Sequence, residues 1–372
     1  MYTEKEIVAV ASRENNNKRK YLVVNRMQCK HIPVSPTSFF NMTSELAEIV
    51  KESYIDEKLL LVGFAETATA IGAALAVKLD TLYMQTTREN IDGVKWLYFT
   101  ESHSHATEQK IVRGDIEKII AEIDRIVFVE DEVTTGNTIL KIIDIIEKEY
   151  GKRVKFSVAS LLNGMNESSY EVYKKRNIGI SYLFKTDHSS YTAIAERYKK
   201  DGKYFEVNVN IPEKNPIVKN IAGGINARRL VKGSIYDVAC NKLWREIKSV
   251  INRENEKNIL VIGTEEFMYP AIYIASELEK EGYNVKCHST TRSPIAVSSE
   301  DDYPLSRRYE LVSLYDEIRV TYIYNLQNYD SVLIITDSQC ASDNGVNSLI
   351  NALHTCGNEN IKMIKWENNE DK

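Results

Sequence analysis

Short apolar runs alternate along the chain with amphipathic stretches. Lys58-Leu-Leu-Leu-Val-Gly63 is an apolar run closed by glycine, which predicts a strand buried on both faces of a parallel sheet. The alanine-rich stretch from Ala68 to Lys78 predicts a helix, so residues 58–80 form one strand–loop–helix unit. Arg125-Ile-Val-Phe-Val129 predicts another buried strand, and Ile139 to Tyr150 sets apolar residues at helical spacing with charges between them. Val154 to Leu162 predicts a third strand, followed by a short helix from Glu171 to Lys175. Tyr21 to Asn25, Thr81 to Thr86 and Val94 to Thr100 are strand-like, and Ser44 to Glu52 predicts a short helix. Pro33 and Pro36 predict an extended loop over residues 30–36. The alternation points to an α/β fold with a Rossmann-like, doubly wound parallel sheet.

Two prolines among polar residues at Asn210 to Pro216 predict a boundary, dividing the chain into residues 1–210 and a second α/β domain, 211–372. In the second part, Tyr236 to Asn252 predicts a helix, Asn258 to Gly263 a strand and Tyr269 to Glu281 a helix. Ser331 to Asp337 predicts a strand ending in an acid, and Val346 to His354 a helix. Ala222 to Arg229 is expected to be a solvated linker. The two parts echo one another in order. Leu61 to Glu66 parallels Val261 to Glu266, Thr86-Thr-Arg88 parallels Thr290-Thr-Arg292, and Ile126 to Asp131 parallels Val332 to Asp337. A degenerate repeat of the first domain and the shared punctuation of any two α/β domains both account for this.

Composition narrows the function classes. The net charge of −5 gives no global attraction to nucleic acid or to an anionic membrane. No apolar run approaches a membrane span, and the charged N-terminus does not resemble a signal peptide. The five cysteines are odd in number and scattered, with no CxxC pair. They are expected to be free thiols in a reducing, cytoplasmic setting.

The chemistry concentrates after the strand at residues 126–129, in Glu130-Asp131-Glu132-Val133-Thr134-Thr135-Gly136-Asn137-Thr138. A parallel strand delivers its acids to the carboxyl edge of the sheet, where α/β ligands bind. Paired carboxylates accept hydrogen bonds from vicinal hydroxyls, and one can also touch a metal-bound water. A turn of hydroxyls and backbone N–H groups at a helix start cradles a phosphate, and Gly136 permits close approach.

This segment resembles the phosphoribosyl-pyrophosphate motif of type I phosphoribosyltransferases. The resemblance implies that Glu130 and Asp131 hold the ribose hydroxyls, with Mg²⁺ nearby, and that Thr134, Thr135, Gly136, Asn137 and Thr138 hold the 5′-phosphate. The pyrophosphate loop would then be Gly63-Phe64-Ala65-Glu66-Thr67, where Glu66 departs from the small or basic residues usual there. The long polar stretch from Thr86 to Lys110 carries Arg88, His103, His105 and Lys110. It falls where these enzymes have a mobile loop whose cations stabilise the departing pyrophosphate. A metal site at His103 and His105, or a plain solvated loop, stand as alternatives.

Lys30-His31-Ile-Pro-Val-Ser-Pro36, Gly63 to Thr69, Glu101-Ser-His-Ser-His-Ala106 and the motif together resemble one subfamily. It is the orotate-phosphoribosyltransferase-like group of tellurite-resistance and stress-response operons, and Ser289 to Pro294 resembles its companion TRSP domain. The resemblance implies transfer of a phosphoribosyl group to a nucleobase-like acceptor in nucleotide metabolism. The partners expected are small molecules, without nucleic acid or membrane, in a cytoplasmic homodimer. A non-catalytic sensor of the donor is the alternative function, and a hydrolase or lyase on the same scaffold a third. Arg292 is a candidate anion ligand, and Asp337-Ser-Gln-Cys-Ala-Ser-Asp343 replaces the threonine-glycine turn.

Overall fold

The computed structural model describes residues 2–14, 19–99, 109–251, 254–339 and 341–368. In chain order the elements begin α1 (Glu4–Ile7), β1 (Val8–Ser12), β2 (Tyr21–Asn25), α2 (Pro36–Ser53), β3 (Leu59–Gly63), α3 (Thr69–Leu79), β4 (Leu82–Gln85), β5 (Trp96–Phe99) and β6 (Gln109–Val112). They continue with α4 (Arg113–Ile119), β7 (Arg125–Val133), α5 (Asn137–Tyr150), β8 (Lys155–Asn163), α6 (Glu167–Lys175), β9 (Gly179–Lys185), α7 (Tyr191–Arg197) and β10 (Lys203–Phe205). The remainder is β11 (Ile217–Gly224), β12 (Val231–Lys232), α8 (Gly233–Ile247), β13 (Asn258–Gly263), α9 (Tyr269–Lys280), β14 (Asn284–Ser289), β15 (Arg307–Val312), β16 (Val320–Tyr324), β17 (Ser331–Thr336), α10 (Asp343–Thr355) and β18 (Ile361–Asn368).

Two compact units interleave along the chain, whereas the sequence suggested a division at residue 210. A central unit comprises Phe40–Thr186 and Ile225–Val238, and a terminal unit comprises Met1–Phe39, Asp187–Gly224 and Ala239–Lys372. Packing explains why the N-terminal strands go with the C-terminal half. Ala9, Ala11 and Val24 of the β1–β2 hairpin share a core with Ile295, Val297, Tyr303 and Leu305.

The central unit is built on a sheet of order β12-β4-β3-β7-β8-β9, parallel except for its edge strand β12. Leu60, Leu61, Ile126, Val127, Phe128 and Val129 are completely covered, as parallel strands between two helical layers require. Helix α3 is apolar all round and buried through Thr69–Ala76, and Gly72 lets it approach within touching distance of Gly63. Helix α5 is amphipathic and buries Ile139, Ile142, Ile143 and Ile146.

Three expectations are corrected here. Pro36 opens α2 rather than extending a loop, which suits a residue with fixed φ and no N–H at a helix start. The stretch 222–229 is not a solvated linker. Arg229 donates to Asp115 from Nε at 2.6 Å and Nη2 at 2.9 Å, and Leu230 N donates to the same carboxylate. The polar stretch after Thr86 contains an antiparallel hairpin, β5–β6, because Gln109 to Val112 pairs with the strand the sequence did reveal.

Glu57 bridges two strands of this sheet. It accepts from Arg125 Nε at 2.6 Å and from Lys155 Nζ at 2.8 Å. The Arg125 hydrogen bond, the largest effect, pulls its pKa from 4.5 to about 2 against the opposing effect of burial, with a lesser contribution from Lys155. A depressed folded value means that this stabilisation is complete above 4.5 and is lost as pH falls toward 2. Acid titration followed by circular dichroism should therefore show a shallower loss of stability for Glu57→Gln than for the parent across that window.

The terminal unit holds a second parallel sheet of order β11-β18-β17-β13-β14, beside the sheet β10-β15-β16. Its course matches that of the central unit: β13-α9-β14, a hairpin β15–β16, then β17-α10-β18, against β3-α3-β4, β5–β6 and β7-α5-β8. The register also matches. Gly63 pairs with Val129 and Gly263 with Ile335, so Asp131 and Asp337 each lie two residues further on. Thr87 bridges Lys110, and Thr291 bridges Tyr322. The sequence parallels thus mark a degenerate structural repeat.

Cys29 and Cys287 form a disulfide, with Cα atoms 5.5 Å apart. The expectation of free thiols therefore holds, among the described residues, for Cys240 and Cys356. An antiparallel bridge between Val34 and Cys287 draws the two segments together, and sequence spacing carries no trace of it.

Candidate functional site

In the central unit the order of strands reverses between β3 and β7, since α3 leads from β3 to β4 and α5 from β7 to β8 on opposite sides. Ligands of open α/β sheets bind at the carboxyl ends of such a pair. The loops that follow are the two the sequence singled out.

Strand β7 runs on through Val133, so Glu130, Asp131 and Glu132 lie on the strand itself, half-buried after five covered residues. Asp131 accepts from Thr67 Oγ1 at 2.9 Å, which joins the acid to the loop after β3. Burial raises the Asp131 pKa, and the neighbouring Glu132 charge raises it further. Glu130 lies near enough to Tyr173 that its charge, after burial, helps to raise that phenol's pKa.

Thr134 to Thr138 turn directly into α5. Gly136 is its N-cap with φ 66°, a left-handed conformation natural to glycine, and no side chain caps the helix. The first turn of α5 carries no acid. Thr135 and Asn137 are exposed, while Thr134, Gly136 and Thr138 are half-buried. Thr135 Oγ1 accepts from Asn137 N at 3.4 Å. The helix thus offers N–H groups and hydroxyls to an anion.

The loop after β3 is held from behind. Thr86 Oγ1 accepts from Ala65 N at 2.8 Å, and Gln109 Nε2 donates to Ala65 O at 3.0 Å. A Cβ on Gly63 would stand 2.8 Å from Tyr83 Oη and 3.0 Å from Ala68 O, so only glycine fits. Phe64 packs against Phe99 and Phe128 in the core, leaving its backbone at the site. Glu66 is buried, and the Ala65–Glu66 peptide is cis.

Arg88 is half-buried, two residues after Thr86. Lys110 is buried in β6, with its ammonium 4.7 Å from the centre of the Trp96 ring and hydrogen-bonded to Asn90. His103 and His105 lie outside the described residues.

Sequence reasoning missed Tyr173, Gln109 and Thr86 as supports. Tyr173 on α6 is fully buried and donates to Gly136 O at 2.8 Å, under the turn. Nothing local marks it. Thr86 lay inside the repeated Thr-Thr-Arg, which was the available signal.

Glu130, Asp131 and the threonine hydroxyls are hard oxygen donors of the kind magnesium prefers. Among the described residues no three His, Cys, Asp or Glu side chains cluster as a metal cage.

Residues 7–186 match the family described as phosphoribosyl transferase, and residues 236–353 match the TRSP domain found C-terminal to it. No curated protein matches the chain. Among solved structures, the chain is similar to adenine phosphoribosyltransferase from Trypanosoma brucei, in complex with AMP, pyrophosphate and ribose-5-phosphate. That match has 14% identity and a TM-score of 0.35, covering 50% of this chain and 78% of the other. The Rhodothermus marinus adenine enzyme matches at 15% identity and TM-score 0.36, covering 49% and 96%. Orotate phosphoribosyltransferase from Aeropyrum pernix matches at 16% identity and TM-score 0.33, covering 52% and 93%. The chain therefore carries a domain of the phosphoribosyl transferase family over residues 7–186, followed by a TRSP domain over residues 236–353.

Proposed function

We propose that the central unit transfers the phosphoribosyl group of phosphoribosyl pyrophosphate to a nucleobase-like acceptor, with Mg²⁺. One observation carries the reading: an uncapped helix start in a threonine-glycine turn directly follows the adjacent acids Glu130 and Asp131. The turn receives the 5′-phosphate on the N–H groups and hydroxyls of Thr134 to Thr138. Asp131, anchored by Thr67, and Glu130 accept the ribose hydroxyls. The backbone of residues 63–67 faces the pyrophosphate, kept in place by Thr86 and Gln109. Arg88 supplies positive charge from the segment before the hairpin and Lys110 from its strand β6.

A nitrogen of the acceptor attacks C1 of the ribose as the C1–oxygen bond breaks. The bonding pair leaves with pyrophosphate, and the acceptor's N–H proton passes to the departing pyrophosphate or to solvent. Magnesium, held by Glu130 and Asp131 with the donor, would neutralise charge on the leaving group. The protein's share is mainly position and fixed charge, so no covalent nucleophile is required.

The test is pyrophosphate release from the full chain with Mg²⁺, donor and a panel of nucleobases. Release with at least one base, abolished by chelator, is expected. Tight donor binding with no release for any base would replace the transferase reading by that of a sensor.

A further inference from the structure

The terminal unit has its own reversal point, between β13 and β17, because α9 leads from β13 to β14 and α10 from β17 to β18. The residues just beyond these two strands form a dense polar set. Arg292 Nε donates to Glu265 at 2.6 Å and Arg319 Nη1 donates to it at 3.0 Å, while Ser313 Oγ also donates to it. Arg292 Nη2 lies 3.4 Å from Glu266, and Arg319 Nη2 lies 3.5 Å from Asp316. Lys30 Nζ donates to the carbonyls of Glu265 and Thr290 at 2.8 and 3.0 Å. Beside them, Tyr315 Oη donates to Asp337 at 2.6 Å and lies 2.6 Å from Thr264 Oγ1, which donates to Thr336 Oγ1 at 2.9 Å.

This set does more than packing demands. The Glu265 and Glu266 side chains are 2% and 0% exposed, and Glu265 holds φ at 48°, a left-handed conformation costly for a residue with a Cβ. Buried ion pairs of this kind contribute little net stability against apolar replacements. A reversal point lined with such groups is where a ligand of this fold belongs.

The chemistry excludes the ligand proposed for the other unit. Helix α10 begins with its own cap, Ser342 Oγ accepting from Gly345 N at 3.0 Å, and carries Asp343 in its first turn. Both features oppose a phosphate, whereas α5 has neither. Three cations, Lys30, Arg292 and Arg319, face four carboxylates, Glu265, Glu266, Asp316 and Asp337, so no positive excess remains for a dianion. What the site presents beside them is a half-buried carboxylate amid hydroxyls, at the register position of Asp131.

We propose that the terminal unit binds an uncharged ribosyl compound, a nucleoside or pentose without a phosphate, at the ends of β13 and β17, with Asp337 accepting its vicinal hydroxyls. That the partner is a ribose diol rests on the reading proposed for Asp131 at the matching register, whereas the exclusion of a phosphate rests on the cap and charge of this unit alone.

The test is titration calorimetry of the full chain, without Mg²⁺ or donor, using the four ribonucleosides, their 2′-deoxy forms, their 5′-monophosphates and free D-ribose. At least one ribonucleoside, or ribose, should bind. Binding should weaken about tenfold or more on removal of the 2′-hydroxyl or in Asp337→Asn, as expected for a lost charged hydrogen bond. It should persist in Asp131→Asn. Hydrogen exchange of the unmodified chain should show protection across residues 331–355 on adding that ligand, which tests the site even if Asp337→Asn folds poorly. Absence of binding by every ribonucleoside and by ribose at millimolar concentration overturns the proposal. So does tighter binding of the 5′-monophosphate at this site, or protection confined to residues 125–150.

Discussion

Asp131→Asn is expected to melt at a higher temperature than the parent at pH 7 while binding phosphoribosyl pyrophosphate about ten- to a hundredfold more weakly, the range for losing a hydrogen bond to a charged group. The two effects share a cause. Burial, with the Glu132 charge beside it, disfavours the ionised carboxylate and raises its pKa in the folded state. A raised folded value for an acid means that the folded protein holds the proton more tightly than the unfolded one. Its contribution is then most favourable at low pH and declines as pH rises through the folded value. The amide keeps the shape and the acceptor oxygen for Thr67 without the buried charge. The melting difference should shrink as pH is lowered into the range where the parent carboxyl protonates. Scanning calorimetry across pH, beside donor titration, checks both halves. Equal melting curves with unchanged donor affinity would remove Asp131 from the site. Sites that hold charge for a ligand commonly give up stability in this way.

Gly136→Ala should nearly abolish donor binding and destabilise the central unit. At φ 66° any side chain costs about 1–2 kcal/mol. A Cβ there would also stand 2.1 Å from Tyr173 Oη, so the phenol must leave and its hydrogen bond to Gly136 O is lost. That bond adds about 1 kcal/mol. Tyr173→Phe separates the contributions, because it removes the bond and keeps the turn. It should lower stability modestly and raise the KM for the donor more than it lowers kcat, as expected of a residue that positions the phosphate turn. Gly136→Ala combined with Tyr173→Leu should recover part of the stability lost by Gly136→Ala alone. Full additivity of the two substitutions would mean that the phenol and the turn do not touch.

The chain disclosed its chemistry where chemistry is local. The acids, the threonine-glycine turn and the helix that follows are contiguous, so periodicity and residue type sufficed to place them. Tyr173 and Gln109 were hidden because their contacts with Gly136 and Ala65 join positions far apart in sequence. The polar stretch after Thr86 read as a loop because β6 is only four residues long and includes Gln109 and Lys110. The repeat was legible because Gly63 and Gly263 both stand where a helix crowds the strand end, with Phe267 O 2.7 Å from a Cβ on Gly263. The extent of each unit was not legible, since the pairing of the β1–β2 hairpin with residues near 300 leaves no mark in local pattern.

That pairing has a consequence for synthesis on the ribosome. The residues that make up the central unit have all emerged once Val238 is out, so it can fold early. The hairpin, translated before the central unit, must wait for residues 295–305 to cover Ala9, Ala11 and Val24. A nascent chain or a fragment ending at residue 210 therefore displays an apolar hairpin face to its neighbours, and it is this product that chaperones would be called upon to shield.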